Sequence, residues 1–318
     1  PPKYIIMMYR FFFLCTYTYF IFSVCNDIRK RSRRFVMNRV KIFTDSTADL
    51  SQELKDRYHI GVVPLYVLIG GKSYLDGVEM TTDELYRQVA KYQTLPKTAS
   101  PSMGDFYEVF SPCIRDGYDV IYVGLSSQLS GTIQSAAVAA GEFEEGRVRV
   151  IDSLNLSTGI GLLTLKAAEM AEKGMSSAEI FEAVSKLVPK VKVSFIIDTL
   201  KYLHMGGRCS SIQLLAGNVL KIRPQIIVKD GGMTVGSKYR GKRQSCLDQF
   251  YAEYVGDGSQ IDRQRAFVTH SGSTDEDLFY YKRKLEKLGI REVYITQAST
   301  VISSHCGPGT IGILYIEK

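Results

Sequence analysis

The sequence is poor in residues that bind metal ions or build disulfide frameworks. Its 318 residues include only four histidines, none paired at helical spacing, and no two cysteines stand at the CxxC spacing of a zinc or redox site. The cysteines are scattered along the chain, at Cys15, Cys25, Cys113, Cys209, Cys246 and Cys306. We therefore expect no bound metal and no disulfide framework, and the cysteines fit a protein of the reducing cytoplasm.

The motifs of nucleotide-using enzymes are also missing. The sequence contains no P-loop of the form GxxxxGK[ST] and no set of kinase motifs. It contains no internal repeat and no long low-complexity linker. The length suits two modest domains or one large one.

The body of the chain carries almost no net charge. Seven Lys and Arg residues against one acid give residues 1–35 a formal charge of +6, which leaves +1 of the total +7 for the rest. A nearly neutral body argues against nucleic-acid binding by the folded part of the protein.

Residues 1–36 have an unusual composition. The run "YIIMMYRFFFLCTYTYFIFSVC" is almost wholly apolar or aromatic, and "RKRSRR" follows it, as in a membrane anchor with a basic flank. Arg10 interrupts the run, which makes membrane insertion costly. We expect an upstream extension that is not part of the fold, with the working protein beginning at Met37 and no stable membrane insertion.

Strands alternate with helices from Met37 onward. Short strands such as "VKIFT" and "DVIYVGL" are apolar on both faces, which predicts a parallel sheet covered by helices on both sides. Beyond about residue 157 the strands change spacing, and Asp230-Gly231-Gly232 joins two of them as a hairpin turn. The sequence predicts an α/β fold with a parallel-sheet domain over 37–157 and a smaller α+β domain over 158–318.

Polar turns follow several predicted strands, where open α/β sheets bind ligands. Asp45 and Ser46 follow the first strand, as helix caps or as ligand contacts. "LSSQLSGT" brings Ser127 and Ser130 to a helix start, where hydroxyls and amides form an anion site. The same serines lack the GxSxG elbow of hydrolases, so a nucleophilic role has weak support.

Two basic features stand out in the second half. Arg208 follows the paired glycines Gly206 and Gly207, which favours a fixed role over a solvated one. The segment "YRGKRQS" contains Arg240 and Arg243, either as a solvated face or as a docking site for an acidic partner.

Seven stretches occur in the order that is found in the DegV family of bacterial fatty acid-binding proteins. They are "IFTDSTADLS", "KTASPSMGDF", "LSSQLSGT", "VIDS", "LKYLHMGGRCS", "LLAGNVLKIRP" and "VISSHCGPGTIG". The chain resembles this family over residues 38–318. It departs from the usual pattern at Ala99, Ser100, Cys209 and Gly241. We expect these changes to affect the width of the pocket and the affinity for a partner.

The resemblance implies a function for several of these residues. It implies a two-domain fold that buries a long-chain fatty acid such as palmitate, without any cofactor. The carboxylate-binding residues would be Thr98, Ser130, His305 and Arg208, with Asp45, Ser46 and Ser127 as further polar contacts. Arg240 and Arg243 would dock the catalytic subunit of a fatty acid kinase, which carries out the phosphoryl transfer.

The resemblance thus favours a non-enzymatic lipid carrier that has no catalytic residues of its own, presents its ligand to the kinase, carries the acyl phosphate and serves phospholipid synthesis. Two alternatives stay open at this point. One is a serine hydrolase that uses Ser130 and His305. The other is a domain that binds a small phosphate or sugar at the same anion site.

Overall fold

The structure, a computed structural model, describes residues 39–209 and 222–318. These residues belong to one compact unit. The predicted extension over 1–36 and most of the "LLAGNVLKIRP" stretch lie outside the described residues.

Thirteen strands are present in the described part of the chain. They are β1 Val40–Asp45, β2 Gly61–Val63, β3 Tyr66–Ile69, β4 Lys72–Leu75, β5 Lys97–Ala99, β6 Asp119–Gly124, β7 Val148–Asp152, β8 Val191–Ile196, β9 Ile222–Lys229, β10 Gly232–Arg240, β11 Ile261–Ser271, β12 Glu292–Gln297 and β13 Thr310–Glu317. The α-helices of the same residues are α1 Gln52–Arg57, α2 Thr82–Tyr92, α3 Met103–Arg115, α4 Thr132–Ala140, α5 Thr158–Glu172, α6 Ser177–Leu187, α7 Lys201–Gly206, α8 Arg243–Tyr254, α9 Asp275–Lys287 and α10 Thr300–Cys306.

The first sheet is parallel and has the strand order β2-β1-β6-β7. Successive residues of its strands enter different core clusters: Ile42 and Ile121 pack on one side, and Phe43 and Tyr122 on the other. This alternation of buried apolar residues requires cover on both faces. The prediction of a parallel sheet buried between helices is confirmed.

The second sheet is mixed and has the order β10-β9-β8-β13-β11-β12, with only β11 and β12 parallel. One face packs on α8 and α9 through residues such as Phe250 and Tyr281. The opposite face carries Phe195 and Leu314 and shares a core cluster with the parallel sheet. The predicted α+β character and the hairpin between β9 and β10 are confirmed.

A third, three-stranded antiparallel sheet has the order β4-β3-β5. The segment "VVPLYVLI" reads as one strand in which Pro64 marks an edge or a bulge, but it splits there into β2, an edge strand, and β3, which belongs to a different sheet. Proline has no N–H to donate to a ladder, which explains the break. The stretch "LPKTASPS" has the composition of a plain turn, yet it contains β5, which pairs with β3 and places Thr98 opposite Val67.

Candidate functional site

A cavity lies between the loops of the parallel sheet and the inner face of the mixed sheet. Its empty volume is ≈ 870 Å³, a figure that includes space open to solvent. Most of the lining is apolar, with side chains that include Leu125, Leu129, Leu156, Phe195, Met233 and Leu314. Such a cavity suits a largely apolar ligand with a few polar atoms.

Three hydrogen bonds tie the two sheets together around this cavity. The Ser126 hydroxyl donates to the carbonyl of Gly231 in the hairpin turn at 2.7 Å. The hydroxyls of Thr158 and Thr269 lie 2.6 Å apart at the start of α5. The Ser299 amide donates to Asp49 at 2.8 Å. All are contacts between distant parts of the chain, so they fix the cavity walls relative to each other.

The first polar pair in the cavity joins β5 to α10. The hydroxyl of Thr98 lies 2.9 Å from Nε2 of His305, which belongs to the last turn of α10. Both side chains line the cavity. The pairing brings together two residues that are 207 positions apart in the sequence.

The second polar group consists of three hydroxyls. Ser130 lies 2.8 Å from the hydroxyl of Ser100 and 2.8 Å from that of Thr132. Its oxygen also accepts the backbone N–H of Thr132 at 3.4 Å, at the start of α4. Ser100 and Ser130 line the cavity, and Thr132 is fully buried behind them.

His305 is held in its neutral form. Burial lowers its pKa to about 4, and the positive charge of Arg208 acts in the same direction. Its Nδ1 is buried and has no hydrogen-bond partner in the described part of the chain. A Cβ placed on Gly206 would collide with this nitrogen, so the close approach of α7 to the imidazole requires glycine.

Arg208 supplies the positive charge at this end of the cavity. Its Nη1 donates to the carbonyl of Gly206 at 2.7 Å, and the side chain is exposed while still lining the cavity. Gly207, between them, has a φ of +66°. The paired glycines thus give the chain the turn that brings the guanidinium back over α7.

Two buried carboxyl groups fix the start of α10. Asp49 accepts hydrogen bonds from the Ser299 amide at 2.8 Å and the Ser157 hydroxyl at 2.5 Å, and Asp76 accepts the Thr300 amide at 2.8 Å. Burial raises the pKa of Asp49 to about 8, although its hydrogen bonds act the other way. These contacts set the position of the helix that carries His305.

Comparison with known proteins identifies the family of this chain. The family model of the DegV proteins, described as uncharacterised, matches residues 39–318. The chain belongs to the DegV family. A DegV domain-containing protein from Caldanaerobacter subterraneus subsp. tengcongensis is 34% identical over 286 residues, which cover 89% of this chain and 100% of that protein.

Solved DegV structures share the fold. The structure described as fatty acid binding of a DegV family protein from Thermus thermophilus matches with a TM-score of 0.81 and 32% identity, over 88% of this chain and 100% of that one. A stearic acid-binding protein from Eubacterium ventriosum matches with a TM-score of 0.76 and 28% identity, over 88% of this chain and 98% of that one. The two-sheet architecture is therefore that of DegV proteins.

Three of the polar residues singled out in the DegV sequence lie away from the cavity lining. Asp45 is buried and accepts hydrogen bonds from Tyr122 and the Leu125 amide at 2.8 and 2.9 Å, and burial raises its pKa. Ser46 accepts the Leu65 amide at 3.0 Å. The amide of Ser127 faces Asp152, and its side chain is exposed. The side chains of Asp45 and Ser46 thus have structural roles that need no ligand, and the contact of Ser127 is made by its backbone.

The two predicted docking arginines have different surroundings. Arg240 is exposed at the end of β10. Arg243 forms ion pairs with Asp198 and Asp277, both at 2.6 Å, and donates to the Gly309 carbonyl. Arg243 therefore has an internal role in joining the loops around α8, which leaves Arg240 as the cleaner probe of docking.

A hydrolase triad has no counterpart in this arrangement. Within residues 39–209 and 222–318, Ser130 pairs with Ser100 and Thr132 but not with His305, and no carboxylate contacts Nδ1 of His305. A serine nucleophile needs a histidine base that is itself oriented by an acid. Among the described residues, Ser130 of this DegV protein thus lacks the paired base and acid of a serine hydrolase.

Two residues at the site were missed in the sequence. Ser100 was noted only as a departure from the family pattern, although it stands two positions after Thr98, a spacing that places both on one face of an extended segment. Asp49 lies in the polar turn after β1, but its partner Ser299 is 250 positions away. The spacing from Thr98 is a local signal that could have indicated Ser100, whereas no local signal indicates the contact of Asp49 with Ser299.

Two other features, a membrane-spanning helix and a metal-binding cluster, are absent from the part of the chain that the structure describes. No helix within residues 39–209 and 222–318 is long and apolar enough to cross a membrane. No group of three or more His, Cys, Asp or Glu side chains in the same residues could hold a metal ion.

Proposed function

We propose that this DegV protein binds a long-chain fatty acid such as palmitate in the cavity between its two sheets. The observation that carries the proposal is a mostly apolar cavity whose lining includes two hydrogen-bonded polar groups and an arginine. On this proposal residues 37–157 and 158–318 act as two domains that enclose the acyl chain. The fatty acid binding described for the Thermus and Eubacterium proteins supports it.

The energetics of an acyl chain favour such a cavity. Burying about 14 methylenes at about 0.8 kcal/mol each contributes on the order of 11 kcal/mol. Loss of translational and rotational freedom offsets at least about 4 kcal/mol of this. The apolar lining thus provides the affinity, whereas the polar end decides which head group is accepted.

The head group requires donors at one end. A carboxylate cannot be buried without hydrogen bonds, and each bond to a charged group contributes about 1.5–3 kcal/mol. We assign the polar end that holds the carboxylate to Thr98, Ser130, His305 and Arg208, which line the same cavity. Neutral hydroxyl donors with one exposed cation leave the carboxylate reactive toward phosphorylation.

We further propose that the protein presents this carboxylate to the catalytic subunit of a fatty acid kinase in the cytoplasm and carries the acyl phosphate product to phospholipid synthesis. The kinase would supply ATP, magnesium and the phosphoryl transfer. The exposed cations Lys238, Arg240 and Lys242 form a basic surface at the end of β10 that suits an acidic partner.

A coupled assay tests the proposed function. Purified protein, palmitate, ATP and a bacterial fatty acid kinase should yield acyl phosphate only when the DegV protein is present. Arg240→Glu should lower the rate about tenfold at low salt while palmitate affinity stays unchanged, because reversed rim charges slow association. Lys190→Glu, an equal charge change at an exposed residue elsewhere on the surface, is the control. Equal rates for Arg240→Glu and wild type would place the docking face elsewhere.

A further inference from the structure

The hydroxyl of Thr132 fixes the direction of the hydrogen bonds behind the cavity. Thr132 is fully buried, and among the described residues the only acceptor near its hydroxyl is Ser130, at 2.8 Å. A buried donor without an acceptor is costly, so Thr132 donates to Ser130. The Ser130 oxygen also accepts the Thr132 amide at 3.4 Å, which uses both of its lone pairs, so its own proton goes to Ser100, at 2.8 Å.

In this series of hydrogen bonds, the hydroxyl proton of Ser100 has no acceptor among the described residues. Within the described part of the protein, the hydroxyl of Ser100 has no partner other than Ser130. Ser100 lines the cavity and is half-buried. The last donor of the three-hydroxyl group is therefore Ser100, and its O–H is available to a ligand in the cavity.

The Thr98–His305 pair also leaves one hydroxyl proton available to a ligand, that of Thr98. Nδ1 of His305 is buried without an acceptor among the described residues, so the neutral ring keeps its proton on Nε2, where it can donate to Thr98. An unpaired N–H at Nδ1 would cost more than an unpaired lone pair. Thr98 then has its own hydroxyl proton free for the cavity.

Thr98 and Ser100 lie on one face of one extended segment. Thr98 is in β5, and Ser100 directly precedes Pro101, which holds Ser100 in an extended conformation. Residues two apart in such a segment point the same way. The side chain of Ala99, between them, is exposed.

We infer that Ser100 is a carboxylate-binding residue, and that Thr98 and Ser100 each donate to one oxygen of the fatty acid carboxylate. His305 and Ser130 then act as positioning residues behind these two donors. The inference rests on the proposed fatty acid binding and specifies how the head group is recognised. It selects for a planar anion with two oxygens over a neutral head group of equal chain length.

The test compares head groups in variants of Ser100. Binding of palmitate and of hexadecanol is measured by displacement of a fluorescent fatty acid. Ser100→Ala should raise the Kd for palmitate roughly ten- to hundredfold, as expected for loss of a bond to a charged group, and change the Kd for hexadecanol by less than about threefold. Ser100→Thr, which keeps the hydroxyl, should restore palmitate binding, and Ser130→Ala should cost less than Ser100→Ala.

A matched control moves the hydroxyl to the other face of the segment. Ala99→Ser combined with Ser100→Ala keeps the composition but should bind palmitate as weakly as Ser100→Ala alone. Wild-type palmitate affinity in Ser100→Ala would overturn the inference, as would equal losses for palmitate and hexadecanol, which would show a packing role. Wild-type protein that binds neither ligand would overturn the proposed function itself.

Discussion

At the scale of single residues, the position of one imidazole controls the head of the cavity. His305 is neutral because burial lowers its pKa to about 4, and it contacts Thr98 on one side and the backbone of α7 on the other. The space for the ring exists only because residue 206 has no side chain. The sequence indicated a role for paired glycines before Arg208, but not that the first of them makes room for His305.

Gly206→Ala tests this close approach. The added methyl group would collide with Nδ1 of His305 and displace the ring from Thr98, so we expect the Kd for palmitate to rise about tenfold. Alanine is the better helix former at this position by up to about 1 kcal/mol, so the fold should persist. Gly131→Ala is the matched control, because a Cβ there meets no atom within 4 Å.

The outcome is read by fluorescence displacement together with thermal denaturation of both variants. Palmitate affinity in Gly206→Ala equal to that of wild type would show that the close approach of residue 206 to Nδ1 of His305 does not affect binding of the head group. A similar loss in Gly131→Ala would point to a general effect of substitution near the cavity.

At the residue scale, the resemblance to the DegV family rather than any spacing indicated which residues belong to the site. Thr98, Ser130, His305 and Arg208 were expected to act together, and they line one cavity. Their role as carboxylate ligands stays a prediction. The role of Ser100 follows only from the hydroxyl contacts of Ser130 and Thr132. Spacing along the sequence does not show that the hydroxyl proton of Ser100 is available to a ligand.

At the scale of elements, α10 is the part of the fold on which the site most depends. It is a short helix that carries His305 at its end, and its start is fixed by buried carboxyl groups from two distant loops. A helix this short has little stability of its own, so these contacts determine where it lies. The position of the imidazole therefore depends on Asp49 and Asp76.

Asp49→Asn should change how stability depends on pH. The pKa of Asp49 is about 8 in the fold against an ordinary value of 3.8, so between these values the folded chain holds a proton that the unfolded chain has released. Because of Asp49, the free energy of unfolding of the wild type therefore decreases as the pH rises from 3.8 to about 8. The asparagine variant keeps the shape of the group without the ionisation and should lack this decline.

Urea denaturation at pH 5, 6, 7 and 8 measures the difference between the two proteins. We expect the variant to gain on the wild type steadily as the pH rises. Glu182→Gln, which removes an exposed carboxylate, serves as the control for net charge. Parallel stability curves for wild type and Asp49→Asn would contradict a raised pKa at Asp49.

Helix starts can be predicted from the sequence where local chemistry decides. Ser176 and Glu179 stand at capping-box spacing and Ser51 precedes a helical pattern, and the capping box and the N-cap at Ser51 are both present. The separation of β2 from β3 and the existence of β5 were missed, since both depend on pairing partners elsewhere in the chain. A three-residue strand such as β5 has too short a pattern to be recognised without its neighbour β3.

At the scale of the whole molecule, the two sheets and the cavity between them form the functional unit. The sequence predicted both sheet types, because alternation of strands and helices and a change in strand spacing are visible along the chain. It could not predict that Ser126 would bond to Gly231 or Thr158 to Thr269, which are the contacts that close the cavity. Such contacts join positions more than 100 residues apart.

The central claim is that this cavity holds a fatty acid, and the most direct measurement is the identity of whatever copurifies with the full chain. Native mass spectrometry, followed by analysis of an organic extract of freshly purified protein, should show about one long-chain fatty acid per chain. The same extract should contain less of it from Ser100→Ala. A protein that carries no lipid and takes up none when palmitate is added, or that holds a sugar or a phosphate in its place, would contradict the account.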